Sequence, residues 1–307
     1  MGIKGIVKKA MELGEMGFNK EGGAINWFPG HMAAATRAIR NRLKLSDLVI
    51  EVRDARVCTR YIHYIPFSSA HQDLQPQLSA KRRIVALNKK DLANSNVLNK
   101  WVRYFDSCKQ DCLPINAHNR SSIRKIAHQP SIYVLDTPGV LVPSIPNVET
   151  GLKLALAGSV KDSVVGEDRI VQYLLAVLNT RGTPLHWKQV ANQREEITQI
   201  SEDKPDYNPK DLRANRKRAL NASDLLYVKD LVKEVQHALY ITLSEFDGNM
   251  EDENELECLI EHQFEVLQRA LKIPHKSSEA RLMVSKKFLT LFRAGKLGSF
   301  VLDDVPE

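Results

Sequence analysis

The chain has 307 residues, enough to bury a real core and to form about two domains. Hydrophobic residues at 43% and charged residues at 26% are ordinary globular proportions, and with no apolar run of about 18 residues no membrane-spanning helix is expected. A net charge of +7 favours polyanionic partners, nucleic acid above all, the alternative being a merely solvated basic surface.

Residues 1–25 carry Lys4, Lys8, Lys9 and Lys20 with no Arg. They lack the apolar core of a secretory signal and form an N-terminal extension that is a candidate mitochondrial targeting segment. Asn26–His31 joins two aromatics to a Pro-Gly turn, and a helix is expected from His31 to about Lys44. Its bases Arg37, Arg40, Arg42 and Lys44 are either phosphate-backbone contacts or a solvated helix face.

Leu48–Val52 reads as a short strand ending in Arg53-Asp54-Ala55-Arg56, and Ile84–Leu87 as a second ending in Asn88-Lys89-Lys90-Asp91. A helix-compatible stretch, Val97–Phe105, leads to a weaker third strand closed by Pro114 and Ile115, before Asn116-Ala117-His118. Ile132–Leu135 is a fourth, with Asp136 at its tip and Thr137-Pro138-Gly139 after it. Apolar runs that each end in polar residues predict an α/β fold, a mostly parallel sheet with its loops along one rim.

Beyond Val142 helices are expected at Glu149–Ala157 and Glu167–Leu178, the second burying mostly one side. Residues 181–222 are polar, with a basic run from Lys210 to Arg218. Helices follow at Ser223–Leu243, Asp252–Leu271 and Ser278–Ala294, the first two separated by an acidic linker, Glu245–Glu257. The expected domains are therefore 26–180, a basic linker 181–222, and a smaller all-helical domain 223–307. Cys58, Cys108, Cys112 and Cys258 have neither zinc-site nor disulfide-framework spacing, so reduced thiols are expected.

Two of the strand ends carry chemistry. A carboxylate such as Asp136 at a strand's carboxyl end, followed by a close-approach glycine such as Gly139, suits phosphate and Mg²⁺, although a plain strand-to-turn connection gives the same residues. Asn-Lys-x-Asp is sharper. The Asp91 carboxylate can accept from the N1–H and exocyclic amine of guanine, a donor pair adenine lacks. Asn88 would tie neighbouring loops together and the stem of Lys89 would cover the ring, with Lys90 the variable position. Asn116 and Ala117 stand where a backbone N–H could meet the guanine oxygen, or are a loop accident.

Asp91 precedes Asp136 by 45 residues, the reverse of the order in ordinary small GTPases. With Phe28-Pro29-Gly30-His31-Met32, Asp54-Ala55-Arg56, and the stretches PSIYVLDTPGVLVPSIP, GSVKDSVVGE and RGTPLHWK, the chain resembles the circularly permuted GTPases of the YlqF/ribosome-biogenesis GTPase A family. Its look is nearest to the plant mitochondrial DAR GTPases of the Short Integuments 2 type. The resemblance implies GTP/GDP as ligand, Mg²⁺ held at Asp136, and His31 in place of the usual water-orienting glutamine. It also implies a monomer that helps assemble the large ribosomal subunit in mitochondria, with the cytoplasm as alternative. Ribosomal RNA would be met through Arg37–Lys44 and Lys210–Arg218.

Two departures stand out. Val57–Tyr64 is extra to the family pattern. The family's phosphate-binding strand, Gly-x-x-x-x-Gly-Lys-Ser loop and helix should lie between the third and fourth strands, yet Ala117 and Asp136 are 19 positions apart, too few for a βαβ unit of about 30 residues. The only Gly-Lys, Gly295-Lys296, is followed by Leu297. That loop supplies most of the affinity for a triphosphate. Base recognition at about 1–3 kcal/mol per good contact falls short of the roughly 4 kcal/mol of even millimolar binding. The expectation is a GTPase-family chain, weakly active or inactive. A nucleotide-independent RNA- or ribosome-binding protein and a nonfunctional splice or gene-model variant are the competing readings.

Overall fold

The computed structural model describes residues 30–57, 81–119, 148–181, 187–188, 222–274, 279–303 and 305, with backbone only at 30–37 and 222–225. The predicted fourth strand, Asp136 and Gly139, the 1–25 extension, the basic run Lys210–Arg218, and the extra loop beyond Val57 lie outside the described residues. So does the side chain of His31.

Two compact units divide the chain, one reaching to Ile170 and including Arg293–Glu307, the other Val171–Phe292. In the first, α1 (Gly30–Leu45) precedes β1 (Leu48–Asp54), β2 (Arg82–Asn88), α2 (Ser95–Ser107) and β3 (Asp111–Pro114). The three strands form a parallel sheet in the order β1-β2-β3, as the apolar runs predicted. β1 runs two residues and β2 one residue past the apolar stretches, because Arg53 and Asp54 pair in register with Leu87 and Asn88, and β2 also begins two residues earlier, at Arg82. Pro114 closes β3, where its missing N–H costs no ladder bond.

α2 shows how local signals place a helix on this sheet. Asn94 caps it, its side chain accepting from the amides of Asn96 and Val97 at 3.0 and 3.3 Å. Leu98, Trp101 and Phe105, spaced for one helix face, are buried against Ala55, Val85 and Leu87. Cys112 packs beside this cluster, and burial pushes its thiol up to about 12, only partly offset by the charge of Arg53. On β1 the alternate residues Leu48, Ile50 and Val52 remain 40%, 41% and 61% exposed.

Three helices complete the first unit's run to Ile170: α3 (Val148–Leu156), α4 (Asp162–Val165) and the start of α5 (Glu167–Arg181). Arg293 terminates α3 by donating to the carbonyls of Ala155 at 2.6 Å and Leu156 at 3.2 Å while gripping both oxygens of Asp162. α5 departs from the one-sided pattern expected of it. Residues 173–179 are buried without a break, as in a helix enclosed on all sides.

The second unit contains the rest of α5 with α6 (Ala222–Ser244), α7 (Glu253–Ala270) and α8 (Ala280–Arg293), the last residue of α8 belonging to the first unit. Asn179 and Gln263 exchange two buried hydrogen bonds of 3.0 and 2.8 Å. Glu261 receives Arg281 bidentately at 2.6 and 2.8 Å, and that guanidinium lies 4.0 Å over the Phe264 ring. The expected acidic linker is shorter than its charges implied. Asp252 caps α7 through the amides of Asn254 and Glu255, and Glu253 and Glu255 form its first turn, where the helix dipole favours carboxylates.

Among the described residues no helix is long and apolar enough to cross a membrane. Cys108, Cys112 and Cys258 are free thiols.

Candidate functional site

Parallel pairing brings three strand ends to one rim. Asp54 stands opposite Asn88, and Leu87 opposite Pro114. The ladder continues past the strands, the Ala55 amide donating to Asn88 O at 2.7 Å and the Ile115 amide to Leu87 O at 2.8 Å. The Lys90 amide then crosses to Ile115 O at 3.1 Å. The loops after β2 and β3 are thus stitched together by backbone alone before any side chain contributes.

Asn88 adds the side-chain stitch. Its Oδ1 accepts from the Ala117 amide at 3.0 Å, joining the two loops as its place in Asn-Lys-x-Asp predicts. Asn116 turns its side chain back onto the His118 amide at 2.9 Å, an Asx turn that shapes the second loop. Asp91 is exposed, and none of the described residues engages its carboxylate. Lys90 is exposed beside it.

Lys89 reaches from the β2 loop toward the end of β1. Its backbone adopts φ +61°, uncommon for a residue with a Cβ, and its ammonium donates to Asp54 Oδ2 at 2.8 Å. The stem crosses from the β2 loop to the end of β1, with the side chain 43% exposed.

Asp54 is also gripped by Arg56, whose Nε and Nη2 donate at 3.0 and 2.8 Å and whose amide donates to Oδ1 at 3.0 Å. Burial alone would raise the carboxyl. The hydrogen bonds and charge of Arg56, joined by Lys89, outweigh it and hold Asp54 below its ordinary value. The same guanidinium donates through Nη2 to Ala157 O at 3.1 Å, while its buried Nη1 has no partner among the described residues.

Of the predicted site residues, the structure gathers Asn88, Lys89, Lys90, Asp91, Asn116 and Ala117 on one rim. Asp54 and Arg56 were noticed in the sequence as a tripeptide but were given no task. The available signal was position: a carboxylate at a strand end that shares the rim with Asn88.

No protein-family model matches the chain. Over 379 aligned positions it is 58% identical to "Short integuments 2, mitochondrial" of Arabidopsis thaliana, an alignment spanning all of this chain and 96% of that protein. The chain belongs to the circularly permuted GTPases of the YlqF family. Within this GTPase family it is 29% identical to "DAR GTPase 2, mitochondrial" of the same plant, over 91% of this chain and 90% of that one. Among solved structures, GNP-bound YlqF from T. maritima aligns with a TM-score of 0.39 and 17% identity, over 89% of this chain and all of that one.

Proposed function

We propose that this chain is a mitochondrial ribosome-assembly protein of the GTPase family that keeps the base-reading half of a guanine-nucleotide site and lacks the phosphate-binding half. The observation that carries the reading is the 3.0 Å bond from the Ala117 amide to Asn88 Oδ1, which joins the two loops next to Asp91, whose carboxylate none of the described residues engages. Asp91 reads the N1–H and amine of guanine, and the second loop faces its carbonyl oxygen. The alignment with the first relative has 379 positions against the 307 residues of this chain, leaving at least 72 positions, 379 less 307, with no residue here. A shortfall of that size is what the loss of a strand, a phosphate-binding loop and its helix would leave, and no Gly-x-x-x-x-Gly-Lys-Ser motif occurs in the sequence.

In this reading His31 is the water-orienting residue, Asp136 the Mg²⁺ carboxylate and Gly139 the γ-phosphate contact of the complete site. Without the phosphate loop their ligand is not held. The family's mitochondrial names support the mitochondrion as this chain's location, and "Mitochondrial ribosome-associated GTPase 1" of Mus musculus, 31% identical over 51% of this chain, supports association with ribosomes. Arg37–Lys44 and Lys210–Arg218 would meet ribosomal RNA, the chain acting as a monomer built of residues 26–180, a linker to 222 and a helical 223–307.

Titration with fluorescent GDP, with and without Mg²⁺, tests the proposal. Binding weaker than about 1 mM is expected from base contacts alone. Submicromolar, Mg²⁺-dependent binding would overturn it. Sequencing the transcript across the codons for Ile123–Ala127 shows whether a longer message encodes the lost loop.

A further inference from the structure

The residues after α8 return to the rim. The Phe300 amide donates to Leu92 O at 3.2 Å and the Leu302 amide to Arg56 O at 2.8 Å. Leu92 follows Asp91 directly, and Arg56 closes the turn after β1. Val301 and Val305 pack on the cluster built from Ala55, Leu87 and Trp101. Asp303, buried, accepts from Lys153 of α3 at 3.0 Å, and Lys153 also holds Glu149 at 2.9 Å. Gly295, at φ +69°, passes so near Leu92 that a Cβ there would lie 2.5 Å from Leu92 Cδ2.

These contacts do more than cover a core. Phe300 and Leu302 each donate to the carbonyl of a residue bordering a site loop. Arg56 passes the connection on through Asp54 to Lys89, at 2.8 Å for each of the two ion pairs. Lys89 in its left-handed conformation is the kind of strained residue that persists only where its surroundings over-determine it.

We propose that Gly298–Asp303, with Val305, is a strap in which Phe300, Leu302 and Asp303 are positioning residues for the loop Asn88–Leu92, so that Asp91 and the Ala117 loop are held in one arrangement. The base-reading role rests on the function proposed above; the strap itself does not.

Hydrogen exchange on the full 307-residue chain, compared with a version ending at Gly298 and with Asp303→Asn and Asp303→Glu, is the test. The Lys90, Leu92 and Ala117 amides should exchange about tenfold faster or more after truncation and in Asp303→Asn, with rescue in Asp303→Glu and α7 unchanged. Unchanged exchange at those amides in both variants overturns the strap, and so does a loss of protection spread equally over α7 and the sheet. A parallel NMR titration with GDP and ADP keeps the two ideas separate. If the full chain shows no GDP-specific shift at Ala117, the base-reading proposal fails while the exchange result still decides the strap.

Discussion

The ammonium of Lys89 lies 2.8 Å from Asp54 Oδ2, linking the ends of two adjacent parallel strands. The left-handed backbone at Lys89 and the tightly held carboxylate at Asp54 are therefore parts of one arrangement. Arg56, 3% exposed at its side chain, depends on the same carboxylate. A single acid stabilises two cations and the turn between them.

Asp54→Asn should destabilise the first unit by about 3 kcal/mol, because it leaves the buried Arg56 charge uncompensated. The pH dependence follows from the sign of the shift. Asp54 titrates below its unfolded value of 3.8, so its contribution is complete above that value and is lost as pH falls through the folded-state value. Urea denaturation between about pH 1 and 5, the range over which such a carboxylate is titrated, should show a falling acid limb in the wild type that is reduced in the variant.

Trp101 is fully buried, and its indole N–H has no hydrogen-bond partner among the described residues. Trp101→Ala should cost about 3–5 kcal/mol through the cavity it opens. Trp101→Phe keeps most of the packing against Tyr104 and Phe105 and removes the stranded donor, so its cost should be less than half as large by urea midpoint.

In the helical unit, Asn179→Leu or Gln263→Leu alone should cost about 1–3 kcal/mol, since each strands a buried amide. The double Leu variant should cost less than the sum of the singles. A double-mutant cycle in urea reads this coupling directly, and strict additivity would show that the two amides stabilise independently.

Cys112 should resist alkylation. With its thiol held near 12, almost none is thiolate at pH 8, whereas Cys108 and Cys258 are exposed. Peptide mapping after brief iodoacetamide treatment should find Cys108 and Cys258 modified before Cys112. Equal labelling would mean that the β3 environment opens readily.

Local signals made much of this fold legible. The helix-compatible stretch Val97–Phe105 marked the middle of α2, and the apolar runs Leu48–Val52 and Ile84–Leu87 marked two strands, because nearby residues alone decide such patterns; the Asn94 cap and the pairing of the two strands emerged only from the structure. The tie that Asn88 makes to the Ala117 loop could likewise be anticipated from its place in a four-residue motif. The path from Leu302 through Arg56 to Asp54 was not, since nothing in Phe-Val-Leu-Asp at 300–303 names a partner far earlier in the chain. The end of the acidic linker was misplaced for a related reason. The acidic run suggested a linker as far as Glu257, overlapping the helix expected from Asp252, and the Asp252 cap makes those carboxylates the first turn of that helix.

The tail's hold on Leu92 and Arg56 also bears on the order of events during synthesis. Both loops leave the ribosome long before Phe300 and Leu302 exist, so they wait for their last two backbone partners until the helices between have been made. A nascent chain arrested after α8 would carry the rim residues with their geometry unfinished. Completion of the rim is thereby tied to completion of the polypeptide as far as its strap.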